Sequence, residues 1–314
     1  MGCSSAMNRD VLRPGLVNAL RRYEEANGAL PGIVQPERRA ALVEQLVDSM
    51  RRTLYFEHLL NRDVSPGRAD PSDNAFDPLR AAIFHERAGN RDEAFWLVFL
   101  FVHFGKHRRS GWRLIIDVYG QLDGGALWSW DAVAADVNAF RRWLDDHVDS
   151  IRSLQPRRGF GNHRKYESLG AWNENGTGAV VASYVDWVGA AGHDARIAHV
   201  TTGATTPYER FDELYGSVHA VRRFGRTGAF DYCATLAKLA FVAVKPSAAC
   251  LAGATGPLAG ARLLLSDPGQ SMSPAALENL LTPLRAELNV GFDVLEDALC
   301  NWQKSPTKFK PFRG

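Results

Sequence analysis

Cysteine is scarce in this chain of 314 residues. Cys3, Cys233, Cys250 and Cys300 stand far apart, with no Cys-x-x-Cys pair. A disulfide framework and a cysteine-based zinc site are therefore excluded as the basis of the fold, and a reducing cytosol fits best. Long apolar runs are missing too. The longest, residues 94–102, falls short of the roughly 20 residues that a membrane span needs. No secretory apolar region is present. Met1-Gly2-Cys3-Ser4-Ser5-Ala6 approaches an acylation signal but has Ala6 where that signal wants Ser or Thr. The expectation is a cytoplasmic protein with no membrane partner. Excess charge is also lacking. With 37 basic and 35 acidic residues the net charge is +2, a total that does not announce a nucleic-acid binder. Alternating β-branched runs are few, and no internal repeat or low-complexity tract is found.

What the chain does have is an ordinary globular balance, 46% hydrophobic and 23% charged. Its length suits one large domain or two intimate ones of about 150 residues each. Helical periodicity dominates. Residues 36–62 carry Leu42, Leu46, Val47, Met50, Leu54 and Leu60 at mostly three- and four-residue steps. Residues 90–107 open with Asn90, Asp92 and Glu93 and are apolar on nearly all sides, which predicts a central helix. Further helices are expected at 130–154, 177–191, 207–221, 228–244, 258–265, 274–288 and 292–303, with loops at 64–73, 155–162, 170–178 and 266–271. The fold class is all-α. The expected organisation is an extension at 1–35, a helical subdomain at 36–155 and a second at 156–314.

Four segments carry chemistry. In residues 250–261 a short apolar stretch, expected as a helix, leads through Gly253 and Gly256 into another helix started by Pro257. This is the pattern of a helix-hairpin-helix element, whose exposed amides suit a phosphate; a plain close-packed turn fits the same residues. In residues 157–167 four cations, His163, Asn162, Phe160 and Tyr166 crowd together, a composition that positions phosphates and stacks on bases. In residues 222–232, Gly225 ends one helix and Asp231 falls in the first turns of the next, where a carboxylate is favoured whether or not it reacts. In the last helix Asp293, Glu296 and Asp297 share one face, extended by Cys300 and Asn301. Such crowded acids differ in acidity, and one can serve as acid or base; a solvated stripe is the competing reading. His103 and His107 lie four apart, but no third ligand is apparent, and no metal is expected.

Taken in order, residues 160–169, 224–231, 251–262 and 296–301 resemble the alpha-glutamyl/putrescinyl thymine pyrophosphorylases, their third clade in particular, over residues 76–304. The resemblance implies a helix-hairpin-helix DNA glycosylase fold with two helical subdomains flanking a cleft. It also implies work on hypermodified bases in DNA of the kind bacteriophages carry. Thr255 departs from the usual hairpin pattern, and an intervening helix separates the hairpin from the acids.

On this reading the protein is a DNA glycosylase that flips out and excises a bulky modified pyrimidine from double-stranded DNA, as an antiviral defence. Gly253 and Gly256 with Arg157, Arg164, Lys165 and Arg226 hold phosphates. Asn162, His163, Tyr166 and Asn301 contact the flipped base. Asp297 or Glu296, ahead of Asp293 and Asp231, supplies the catalytic carboxylate. No cofactor is expected, and Lys304 is the nearest lysine for a lyase. Two alternatives stand beside it: transfer of an amine onto a phosphorylated hydroxymethyl pyrimidine, and a DNA-binding module without activity.

Overall fold

The structure, a computed structural model, describes residues 8–267 and 269–312. Cys3, the candidate acylation signal, Arg313 and Pro268 of the loop at 266–271 lie outside the described residues. Within the described residues the fold is all-α, with two isolated bridges, His107 to Gly111 and Ser168 to Gly176, and no strand. The helices are α1 (Arg9–Asn27), α2 (Pro36–Leu60), α3 (Pro78–Arg87), α4 (Arg91–Phe104), α5 (Arg113–Tyr119), α6 (Trp130–Ala135) and α7 (Val137–Ser153). They continue as α8 (Thr177–Val188), α9 (Gly192–Val200), α10 (Pro207–Val218), α11 (Arg226–Lys238), α12 (Gly256–Leu265), α13 (Pro274–Leu288) and α14 (Phe292–Trp302). No helix among the described residues is long and apolar enough to cross a membrane.

Local chemistry explains where helices depart from the periodicity. The stretch expected as one helix over 130–154 is two, because Asp136 leaves the helical region (φ −150°, ψ 86°) and its carboxylate caps α7 through the Ala139 amide at 2.9 Å. Gly189, at φ 77°, ends α8 early. Helix α1 escapes a reading by propensity because Pro14 and Gly15 interrupt it. Tertiary burial of Leu16, Leu20 and Tyr23 overrides them. The hairpin expectation needs correction. Residues 239–255 hold no helix, so the first arm of a helix-hairpin-helix element is absent. Pro246 and the left-handed Ala240 (φ 56°) and Cys250 (φ 50°) break the segment. Its amides turn to a carboxylate instead: Ala249 and Leu251 donate to Glu278 of α13 at 3.0 and 2.7 Å.

The described residues pack as two compact units, one built from residues up to Asn61 and from Lys245 on, the other from Arg62–Val244. Neither unit ends near residue 155. In the first, α14 packs on α2 and α12, and α1 packs on α2 and α13. Leu20, Leu46, Leu264, Leu281, Leu299 and Trp302 are fully enclosed, and each such burial stabilises by about 1.5–3 kcal/mol. Small residues set the α12–α14 spacing. A Cβ on Gly260 would stand 2.3 Å from the Leu299 carbonyl oxygen, and one on Gly256 2.6 Å from Cys300 Sγ. Gly256 is thus a packing residue first.

In the second unit α4 is central, as its all-round apolarity predicts. Phe95, Trp96, Leu97, Val98 and Phe99 are fully enclosed, and Phe99 stacks on Tyr184 and Phe224 with centroids 3.9 and 5.4 Å apart. One polar chain threads this core. His193 Nδ1 lies 2.6 Å from Asp92 Oδ1, its Nε2 2.8 Å from the Tyr184 hydroxyl, and that hydroxyl 2.9 Å from Tyr232. With Nδ1 donating to Asp92, Nε2 accepts from Tyr184, which accepts from Tyr232. Each group is satisfied, so burial does not leave an orphan.

Gly260→Ala is expected to destabilise the protein by roughly 1–3 kcal/mol through forced separation of α12 and α14. Gly216→Ala in α10, where a Cβ meets nothing within 4 Å, stabilises by about 0.5–1 kcal/mol. Urea unfolding checks both. Equal effects at the two sites contradict this packing account.

Candidate active site

The residues singled out in the sequence separate into one group in each unit. In the second unit the loop after α7 is drawn against the end of α4. The Gly161 amide donates to the Phe104 carbonyl at 2.7 Å, and a Cβ on Gly161 would stand 2.9 Å from Gly105. A 3₁₀ turn, Asn162–Arg164, follows. Arg164 points inward with a side-chain exposure of 6%. Its Nε donates to the Val102 carbonyl at 3.0 Å and its Nη1 to the Arg223 carbonyl at 3.2 Å. Its guanidinium lies over the Phe224 ring at 4.8 Å. The space it fills exists because residue 228 is glycine: a Cβ there would meet Nη2 at 2.4 Å. Burial pulls the Arg164 pKa below its ordinary value, against the pull of Asp231 and Glu167. The sequence marked Arg164 as a surface contact for phosphate; it is an interior anchor.

Glu167 and Arg223 complete that anchor. Arg223, in a left-handed conformation (φ 62°), donates to both Glu167 carboxylate oxygens at 3.1 and 3.2 Å and to the Tyr166 carbonyl at 3.3 Å. Behind it His103 is enclosed, 3.0 Å from Thr177 Oγ1. Because Thr177 Oγ1 donates to the Ser168 carbonyl at 2.8 Å, His103 Nε2 is the donor of that pair, and Nδ1 has no partner. Burial pushes the His103 pKa well down, and Arg164 and Arg223 push the same way. His107, its i, i+4 neighbour, is turned to Ser110, with Nδ1 2.8 Å from Oγ; among the described residues no group of three or more His, Cys, Asp or Glu is placed to hold a metal ion.

With Arg164 facing in, Asn162, His163, Lys165 and Tyr166 face out. His163 Nδ1 lies 3.9 Å from Asp231 Oδ2, and both side chains are about two-fifths exposed. Asp231 stands one turn beyond Gly228 on α11. Arg226, in the first turn of that helix, lies over the Phe230 ring at 4.8 Å. Arg157 is exposed, while its neighbour Arg158 turns in to a buried pair with Asp117. One carboxylate and one imidazole therefore meet near the start of α11, with Arg226 in the first turn of that helix and the interior guanidinium of Arg164 beside them. Arg223 and Glu167 belong to the basic segments 222–232 and 157–167. Their charge alone does not distinguish a brace from a ligand contact.

The group in the first unit is built differently. Arg52 of α2 clasps Asp297 through Nε at 3.2 Å and through Nη2, and also pairs with Asp48. Burial lowers the Arg52 pKa, but the two carboxylates outweigh it and hold the group above its ordinary value. Asn301 donates to Asp297 Oδ1 at 2.9 Å and accepts from Lys304 Nζ at 3.0 Å. Thr53 Oγ1 lies 3.5 Å from Asp293 Oδ2, and Glu296 is half-buried on the same helix. This is an ion-pair network tying α2 to α14. Gly253, left-handed at φ 73° and exposed, closes the turn before α12. A cavity of about 510 Å³ in the second unit is lined by Trp112, Arg113, Asp117 and Arg158 among others; of the four cations of residues 157–167 it takes only Arg158, and no candidate site residue lines it.

The family model of the alpha-glutamyl/putrescinyl thymine pyrophosphorylases, clade 3, matches residues 37–314. The chain belongs to that family. Both groups of residues lie within the matched span of this clade 3 chain, and α1 lies before it. No curated protein and no solved structure matches the chain.

The interior histidines give a pH test. Burial lowers the pKa of His103 and also that of His193, in the latter against the pull of Asp92. A folded pKa below the ordinary 6.5 means the stabilising neutral form is fully present above that pH and lost as pH falls through it. The urea midpoint is expected to fall between pH 7.5 and pH 5, and His103→Leu to flatten the slope. A midpoint that holds or rises in that window contradicts the placement of these histidines.

Proposed function

We propose that this chain is an enzyme that acts on a modified thymine in DNA, replacing a phosphate or pyrophosphate on the base's methyl carbon with an amine. The observation that carries this reading is the Asp231–His163 pair, 3.9 Å apart and half exposed, set among cations at the start of α11. The family supports it, being named for a thymine pyrophosphorylase.

The chemistry needs what that corner holds. An amine nitrogen attacks the methyl carbon, a C–N bond forms, and the C–O bond to the phosphate breaks with its electrons leaving on oxygen. The attacking nitrogen then surrenders a proton. Asp231, with His163 beside it, is the acceptor, and such general-base help is worth roughly 10²–10⁴-fold. The leaving anion is stabilised by Lys165, Arg226 and the positive end of α11. Strand phosphates fall to the same cations and to Arg157. DNA carrying such bases is found in bacteriophages, which gives the activity a setting in the handling of phage DNA.

Base excision is the second reading, since a partly exposed carboxylate such as Asp231 can also stabilise an oxocarbenium-like sugar; the imidazole beside it and the family's name favour the transfer. Excision through Asp297 has less support, because that carboxylate is committed to Arg52. The products decide. Duplex DNA bearing a pyrophosphorylated hydroxymethyluracil is incubated with the protein and a primary amine. Amine transfer gives released pyrophosphate, a base that carries the amine in place of the pyrophosphate, and strands that survive hot alkali. Alkali-labile breaks with free base establish excision instead. Salt-dependent binding without turnover leaves a DNA-binding module.

A further inference from the structure

The sequence reading put Tyr166 among residues that contact an extruded base. We infer a different role: Tyr166 is the wedge that enters the duplex and fills the place the target nucleotide vacates. The inference rests on the proposed action on a base in DNA and specifies how that base is reached.

Exposure separates the two roles. A ring that sandwiches an extruded base belongs in a concavity, whereas Tyr166 is 79% exposed, the highest value among the large hydrophobic side chains exposed in the described structure. A lone exposed aromatic is ordinary on a protein surface. This one differs in its footing and its neighbours. Its carbonyl is held by Arg223, Arg223 is clasped by the 6% exposed carboxylate of Glu167, and the Glu167 amide donates to the Arg164 carbonyl at 2.9 Å. The ring therefore stands on a braced backbone, with two side-chain torsions to fix on binding.

Charge gives the partner. Lys165 Nζ lies over one face of the ring at 5.0 Å. An ammonium there is placed for a strand phosphate, which would draw it off the ring and free both faces for stacking. The half-exposed indole of Trp172, in the same unit, is unsuited. Arg141 covers it at 4.4 Å, and its Nε1 donates to Asp145 at 3.1 Å, which would set a carboxylate against the DNA. Position gives the target. Tyr166 follows His163 by three residues, at most about 11 Å of extended chain, and His163 faces Asp231. An extruded nucleotide stays tethered by its own phosphates to the gap it left, so wedge and reacting group must be close neighbours.

The test places 2-aminopurine beside the pyrophosphorylated hydroxymethyluracil in a duplex and reads its fluorescence together with turnover. Wild-type protein is expected to raise the fluorescence severalfold. Tyr166→Ala is expected to bind within about threefold of wild type, lose the fluorescence rise, and lose duplex turnover roughly 10- to 100-fold. Tyr166→Phe and Tyr166→Trp restore both. On a mismatched or single-stranded substrate, where little unstacking is needed, the Tyr166→Ala loss shrinks to about threefold. A Tyr166→Ala protein that matches wild type in fluorescence and duplex turnover overturns the wedge and leaves the proposed function standing. An equal loss on duplex and single-stranded substrates also overturns it. Wild-type protein that neither binds nor converts this DNA overturns both.

Discussion

A guanidinium with almost no exposure sits between the end of α4, the turn before α11 and the face of Phe224. Arg164 ties three segments that are far apart in sequence, through the carbonyls of Val102 and Arg223 and through the space left by Gly228. A buried cation is costly unless its donors are met. Here two carbonyl oxygens, an aromatic face and the nearby carboxylates of Glu167 and Asp231 offset part of that cost, and Nη2 is left without a hydrogen-bond partner. The outward set follows from this inward residue. In a tight turn, one side chain committed to the core fixes which neighbours face solvent. Asn162, His163, Lys165 and Tyr166 owe their direction to it.

The two clusters of acids illustrate how similar residues come to different ends. Asp297 lies on a regular helix against another helix, and an arginine from α2 neutralises it. That arrangement holds the first unit together and leaves little for chemistry. Asp231 is also helical, but its neighbour is a histidine at 3.9 Å on a braced loop, with solvent on the open side. Accessibility and an uncommitted carboxylate are what the proposed function asks of a reacting acid, and Asp297 offers less of both. Family membership covers both clusters and so does not choose between them; the proposed function rests on Asp231 because it is partly exposed beside His163, whereas Asp297 is held by Arg52.

Much of the fold was legible as periodicity. The stripes of α2 and α13 and the all-round apolarity of α4 read directly as helices and, for α4, as a central position. What escaped depended on tertiary context. Pro14 and Gly15 concealed α1, which burial of Leu16, Leu20 and Tyr23 enforces. Gly253 and Gly256 read as a phosphate hairpin, but Gly256 exists for the close approach of Cys300, and Glu278, far along the chain, takes the preceding amides. Of the candidate site, the loops stand out by composition, and Asp231, His163 and Lys165 by residue type. Composition cannot tell which arginine of a cluster turns inward, so Arg164 was assigned to the surface and the braces Arg223 and Glu167 were passed over. The acidic stripe of α14 drew attention by spacing alone, and no spacing reveals that Arg52 waits opposite.

The central claim is that reaction chemistry resides at the start of α11 and not on α14. Turnover of Asp231→Asn and Asp297→Asn, measured side by side on one modified duplex with folding checked by circular dichroism, tests it most directly. The account predicts a loss of about 10²–10⁴ in kcat for Asp231→Asn. For Asp297→Asn it predicts a lower unfolding midpoint with kcat within about threefold of wild type. A folded Asp297→Asn protein without turnover, beside an active Asp231→Asn protein, would contradict it.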